Sequence, residues 1–163
     1  MVMQSGLRWL WIAVIVIALD HWTKGLASEH LTLYQPEALM PMLNFTLSHN
    51  TGAAFSFLHD AGGWQRWFFT ALALTVSVVL LVWLGRIAKD KAWEPIALTL
   101  VMGGALGNVW DRIVLGYVVD FIDVYYEAWH WPAFNVADSA ICVGAVMLLI
   151  DALRAKKHSS AST

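Results

Sequence analysis

The chain has 163 residues, of which 59% are hydrophobic and only 13% charged, with ten tryptophans, one cysteine and a formal net charge of −2. Soluble domains carry about 25% charged residues, so this composition and a mean hydropathy of +0.60 argue for a membrane protein. The charge balance offers no basic footprint for nucleic acid. Cys142 alone cannot form an intrachain disulfide, and no Cys/His cluster has zinc spacing.

In chain order, the first apolar run covers residues 7–27 and reads as a membrane span. A cleaved signal peptide is the alternative, but only Arg8 supplies charge before the run and no small-x-small cleavage site follows. Asp20 and Lys24, four apart, share a helix face and can pair. Residues 28–63 form an outer, non-spanning segment in which Pro36 and Pro41 break any helix. Within it, 42–47 and 53–58 have strand composition around the turn Asn50-Thr51-Gly52, which suggests a small surface hairpin.

The second span is expected at 64–84 and the third at 92–109, where Gly103, Gly104 and Gly107 permit close helix approach. A second outer segment, 110–132, includes a β-branched run at 113–119, and a fourth span follows at 133–153. The tail at about 158–163 is Ser-rich and expected to be disordered. Basic residues cluster at 86–91 and 154–157, so both termini belong in the cytoplasm and both outer segments outside. The expected fold is mainly α: four transmembrane helices, one domain over residues 1–163, and a small extracytoplasmic β-sheet.

This topology gathers Asp20, Asn108, Asp111, Arg112, Asp120, Asp123 and Asp138 at the outer boundary. Charges beside hydrocarbon-length segments are costly, and their convergence suggests a site. Each acid taken singly could merely cap a helix, as Asp138 could at the start of the fourth span. No Ser/Lys or Ser/His pair stands out and no His-Glu-x-x-His occurs. Paired carboxylates remain: one ionised to activate water, one protonated to serve as acid. Such chemistry needs neither metal nor cofactor. Pattern alone does not say which two acids do this. A transporter would place its acids mid-span with internal repeats, and a structural assembly factor would have little use for them. A presenilin-like protease would show Gly-x-Gly-Asp, which is absent.

Five blocks in order resemble the lipoprotein signal peptidases, or signal peptidase II: Asp20-His-Trp-Thr-Lys24, Asn50-Thr-Gly-Ala-Ala-Phe55-Ser, Gly103-Gly-Ala-Leu-Gly-Asn108-Val-Trp-Asp-Arg112, Val119-Asp120-Phe121 and Phe134-Asn135-Val-Ala-Asp138-Ser. The resemblance spans about residues 7–153. It implies an aspartic peptidase of the bacterial inner membrane with Asp120 and Asp138 as the catalytic pair. Asp123, the nearest rival to Asp120, falls outside the matched blocks. Asn50, Gly52, Asn108, Arg112 and Asn135 would position substrate or hold the pair, and Asp20 and Lys24 would support the site. The implied substrate is a prolipoprotein with a diacylglyceryl cysteine, cleaved just before that cysteine. The implied enzyme is a monomer in contact with membrane lipid. Arg112 has two readings open to it, a fork of donors for substrate or a counter-charge for Asp111.

Overall fold

A computed structural model describes residues 5–52 and 63–160. A 3-10 turn, Gly6–Trp9, leads into helix α1, Leu10–His30. Strands β1, Pro36–Met40, and β2, Leu43–Asn50, follow. Helices α2, Trp64–Arg86, and α3, Trp93–Val114, precede β3, Val118–Tyr126, and β4, Trp129–His130. Helix α4, Val136–Ser160, ends the described chain.

The four helices run up and down, with α3 packed against each of the others. At one end Gly6 lies against Leu84 and Pro95, and the Trp93 indole donates to the Met147 carbonyl. At the other end Arg66 donates to the Ile113 carbonyl. Outward faces of α1, α2 and α4 are apolar, with Val14, Val78, Val79, Val146 and Leu149 all exposed. The ten tryptophans fall into two groups, residues 9, 11, 83 and 93 at one end and 22, 64, 67, 110, 129 and 131 at the other. Two indole belts flanking apolar helices fit a bilayer, where Trp favours both interfaces.

Among the described residues three stretches are long and apolar enough to cross a membrane: Gly6–His30, Trp64–Arg86 and Val136–Arg154. Helix α3 is long enough but too polar by composition, although the sequence suggested a span there. Its polar residues are tolerable because the other helices shield it from lipid. Small residues make that shielding close. A Cβ on Gly103 would lie 2.9 Å from the Ala13 Cα, and one on Gly104 would overlap the Ala137 carbonyl. An apolar cluster of Ala13, Leu80, Leu84, Ile87, Leu98 and Met102 fills the first end. A second cluster, Ala27, Leu47, Val119 and Phe121, lies between α1 and the sheet.

The sheet is antiparallel with order β1-β2-β3-β4. Ser48 faces Asp120 and Asn44 faces Asp123, with a register irregularity between Phe45 and Ser48. One hairpin turns at Pro41-Met42, where Met42 adopts φ 70°, and at the expected turn Asn50 Oδ1 accepts the Gly52 N–H at 3.0 Å. The strand expected at 53–58 lies outside the described residues. The β-branched run does not become strand at once: Ile113 and Val114 finish α3, and Gly116, at φ +91°, turns the chain into β3. Only glycine takes that left-handed backbone without strain.

The helices run longer than their apolar runs. Helix α1 continues ten residues past Asp20, and α3 five past residue 109. Helix α4 begins at Val136, three residues later than expected, with Asn135 before it, and runs to Ser160.

Candidate active site

Three side chains from α1 and α3 form a buried charge cluster. Lys24 Nζ lies 2.7 Å from Asp20 Oδ2 and 2.9 Å from Asp111 Oδ2, with all three side chains at most 4% exposed. An i,i+4 carboxylate–ammonium pair on one helix face explains the first contact. The second joins α1 to α3. Gly107 permits it, since a Cβ there would sit 2.9 Å from Asp20 Oδ2. Lys24 Nζ also donates to Asn108 Oδ1 at 3.0 Å.

From Asn108 the hydrogen bonds run to two further carboxylates. Asn108 Nδ2 donates to Asp138 Oδ1 at 2.7 Å. Asn108 Oδ1 accepts from Asn135 Nδ2 at 3.2 Å, and that same Nδ2 donates to Asp120 Oδ1 at 2.7 Å. Asp120 Oδ2 accepts from Asn50 Nδ2 at 3.0 Å. Two carboxylates are thus tied together through two amides, one from α3 and one from the segment before α4. Asn135 also caps α4: its Oδ1 accepts the Asp138 N–H at 2.9 Å, the reach of an N-cap residue to the third helical position.

Asp120 is 2% exposed. Burial, and then the nearby Asp138 charge, push its carboxyl up to about 7 from 3.8, against the opposing hydrogen bond from Asn50 and the Lys24 charge. A cavity of about 610 Å³ opens beside Asp138, walled by Asn50, Asn108 and Arg112 and by the apolar groups of Val118, Trp131, Ile141 and Val143. Arg112 donates to the Gly52 carbonyl at 3.3 Å and to the Asn108 carbonyl at 3.4 Å. Its guanidinium lies 5.5 Å from the Phe69 ring centroid.

The structure therefore brings together Asp20, Lys24, Asn50, Gly52, Asn108, Arg112, Asp120, Asn135 and Asp138, which the sequence placed in five separate blocks. Asp123 stands apart. It accepts from Asn44 and Thr46 and lies 2.8 Å from His130 Nδ1. Burial acts to raise its pKa, but the bonds from His130, Thr46 and Asn44 outweigh this and hold the carboxyl below its usual range. Of the two readings open to Arg112, direct pairing with Asp111 is not the arrangement seen among the described residues. Lys24 and the Val119 N–H, 3.1 Å from Asp111 Oδ2, take that carboxylate instead.

Sequence reasoning noticed Asp111 but gave it no role in the site. The available signal was its spacing from Asn108, since residues three apart share a helix face. His49 stacks on Tyr117 with ring centroids 3.9 Å apart. Among the described residues no group of three or more His, Cys, Asp or Glu side chains is arranged to hold a metal ion.

Apolar outer faces, a polar interior and a walled cavity at one end define a membrane-embedded enzyme built around carboxylates and amides. Residues 12–154 match the family model of signal peptidase (SPase) II. The lipoprotein signal peptidase of Teredinibacter turnerae is 57% identical over 149 residues, covering 91% of this chain and 89% of that one. That of Pseudomonas aeruginosa strain UCBPP-PA14 is 54% identical over 158 residues, covering 96% and 94%. A bacterial membrane enzyme solved by the in meso method at 2.3 Å resolution superposes with a TM-score of 0.83 at 30% identity, covering 93% of this chain and 90% of that one. A second, at 1.9 Å resolution, gives 0.79 at 31% identity. The chain belongs to the signal peptidase II family, the lipoprotein signal peptidases, whose role is the cleavage of signal peptides from prolipoproteins.

Proposed function

We propose that this peptidase is of the aspartic type, with Asp120 and Asp138 as its catalytic pair. The observation that carries this reading is the amide bridge: Asn108 and Asn135 join the two carboxylates, 2.7 Å from each, beside the cavity. Asp138, ionised, takes a proton from water, and the resulting hydroxide attacks the scissile carbonyl carbon. Asp120 carries the other proton, consistent with a carboxyl pushed up to about 7, and gives it to the carbonyl oxygen. As the tetrahedral intermediate collapses, the proton held by Asp138 passes to the leaving amine and one hydroxyl proton returns to Asp120, which restores both carboxyls to their starting states. Asn50, Gly52 and Arg112 line the path of the substrate backbone, the guanidinium offering its fork of donors to peptide carbonyls.

The substrate is a prolipoprotein bearing a diacylglyceryl cysteine, cut just before that cysteine. The apolar wall of Val118, Ile141 and Val143 suits an acyl or signal-peptide chain. Because the acyl chains already reside in lipid, they gain little by transfer to protein, and their effect is to fix the cysteine at the depth of the carboxylates. The enzyme acts as a monomer in the bacterial inner membrane. Arg8, Arg86, Lys89, Lys91 and Arg154 all belong to the bundle end away from the site, which favours cytoplasmic termini and a site facing the outer leaflet.

The test is cleavage of a lipidated precursor in liposomes. Asp120→Asn and Asp138→Asn should each abolish it in folded enzyme, while Asp123→Asn keeps substantial activity. A dead Asp123→Asn beside an active Asp120→Asn would reassign the pair. An unlipidated precursor should be cleaved at least ~100-fold more slowly in kcat/KM, and equal rates would leave a generic membrane peptidase.

A further inference from the structure

The residues just before the two proposed catalytic aspartates are held in the same way. The Val119 N–H, one residue before Asp120, donates to Asp111 Oδ2 at 3.1 Å. The Ala137 N–H, one residue before Asp138, donates to Asp20 Oδ1 at 2.9 Å. Both clamping carboxylates meet on Lys24 Nζ, at 2.9 and 2.7 Å. Lys24 also holds Asn108 Oδ1, and the other end of that amide grips Asp138. One ammonium on α1 thus ties down the backbone beside Asp120 on β3 and the backbone beside Asp138 on α4.

We infer that Asp111 is a positioning residue, which with Asp20 and Lys24 sets the separation of the two aspartates without touching substrate. This rests on the catalytic pair proposed above. Asp111 does not line the cavity beside Asp138, so substrate binding does not require it. A single ion pair would suffice to neutralise Lys24. The second carboxylate calls for an explanation because its Oδ2 is divided between Lys24 and a backbone N–H of the strand that carries Asp120. The segment before α4 already bonds β3 directly, through Phe134 to Ile122 and Asn135 to Asp120, and the Lys24 cluster adds a second tie from α1 to the backbone beside each aspartate. Misplacing a reacting group by about 1 Å can cost ~100-fold in rate.

The experiment compares Asp111→Ala and Asp111→Asn on the lipidated precursor in liposomes, with rates expressed per folded enzyme. Asn keeps an oxygen for the Val119 N–H, and Ala keeps none. The expected result is a kcat about 100-fold down for Asp111→Ala, recovered to within ~10-fold of wild type by Asp111→Asn, with KM unchanged in both. Hydrogen exchange at the Val119 amide should quicken in Asp111→Ala and stay near wild type in Asp111→Asn. A folded Asp111→Asn that is as inactive as Asp120→Asn overturns the clamp, as does a loss confined to KM or to the folded fraction. Should Asp111→Ala not fold, the Asp111→Asn rate and the exchange of its Val119 amide still decide. Asp120→Asn and Asp138→Asn run alongside: if either cleaves normally, the fault lies in the pair and not in the clamp.

Discussion

Replacing Asp120 by Asn should kill the enzyme and stabilise it, increasingly so as pH rises. In the folded protein burial and the Asp138 charge push the carboxyl from 3.8 to about 7. At about 1.36 kcal/mol per pH unit, ionising it there costs about 4 kcal/mol more than in the unfolded chain. The folded state binds the proton more tightly, so the wild type has the full benefit of protonation below pH 3.8. It loses that benefit as pH rises, completely so above 7. Asn cannot titrate and lacks this slope. Its amide sets an N–H against the donor of Asn50 or Asn135, a pH-independent cost of about 1–3 kcal/mol. Between pH 5 and pH 8 the stability gap should widen in favour of Asp120→Asn by about 2.5 kcal/mol. At 2–4 °C per kcal/mol this is about 5–10 °C in Tm. Melting curves of both proteins in one detergent, from pH 5 to 8, measure it. Parallel curves would refute the raised carboxyl and, with it, the choice of Asp120 as the acid.

Lys24→Met should destabilise by about 3–5 kcal/mol, because Asp20 and Asp111 are then buried without their cation; adding Asp111→Asn should recover part of the lost Tm. Gly104→Ala should lower Tm and yield, since its methyl overlaps the Ala137 carbonyl and forces α4 away from α3. In a Cys142→Ala background, a thiol introduced by Asp90→Cys should be shielded from an impermeant reagent in intact cells and one introduced by Glu37→Cys labelled. The reverse labelling would invert the proposed orientation.

Composition and periodicity carried the helical frame. Apolar runs of span length lie within α1, α2 and α4, and Asp20 and Lys24 pair as their spacing requires. The strands were harder to place, because their pairing is long-range. Asn44 meets Asp123 and Ser48 meets Asp120 across more than 70 residues, and no local propensity encodes that register. A hairpin forms at Pro41-Met42 through pairing of Pro36–Met40 with Leu43–Asn50, while the turn signal at Asn50-Thr51-Gly52 is kept locally, Asn50 Oδ1 accepting the Gly52 N–H at 3.0 Å. Those residues do other work: Asn50 reaches Asp120 and Gly52 accepts from Arg112. Span edges were set too early in α1 and α3, since hydropathy stops at the first charge whereas a helix continues wherever its charges find partners inside. Asp111 had no visible role for the same reason. Its partners, Lys24 and the Val119 N–H, lie on α1 and β3.

The polar interior and the lipid-facing exterior are two aspects of one constraint. Hydrolysis needs water and ionisable groups, and lipid tolerates neither on a helix surface. Helix α3 carries Asn108, Asp111 and Arg112 and is too polar to count as a span by its own composition. Enclosure by α1, α2 and α4 makes it tolerable, and its glycines let those helices come close enough to enclose it. The polar residues then cannot lie at random along α3. Away from the sheet the bundle closes over the apolar side chains of Leu84, Leu98 and Met102. Toward the sheet, β3 and the segment before α4 bring amides and carboxylates to meet those of α3. The polar groups and the walled cavity are thereby gathered at one end of the bundle, where a peptide bond can meet water.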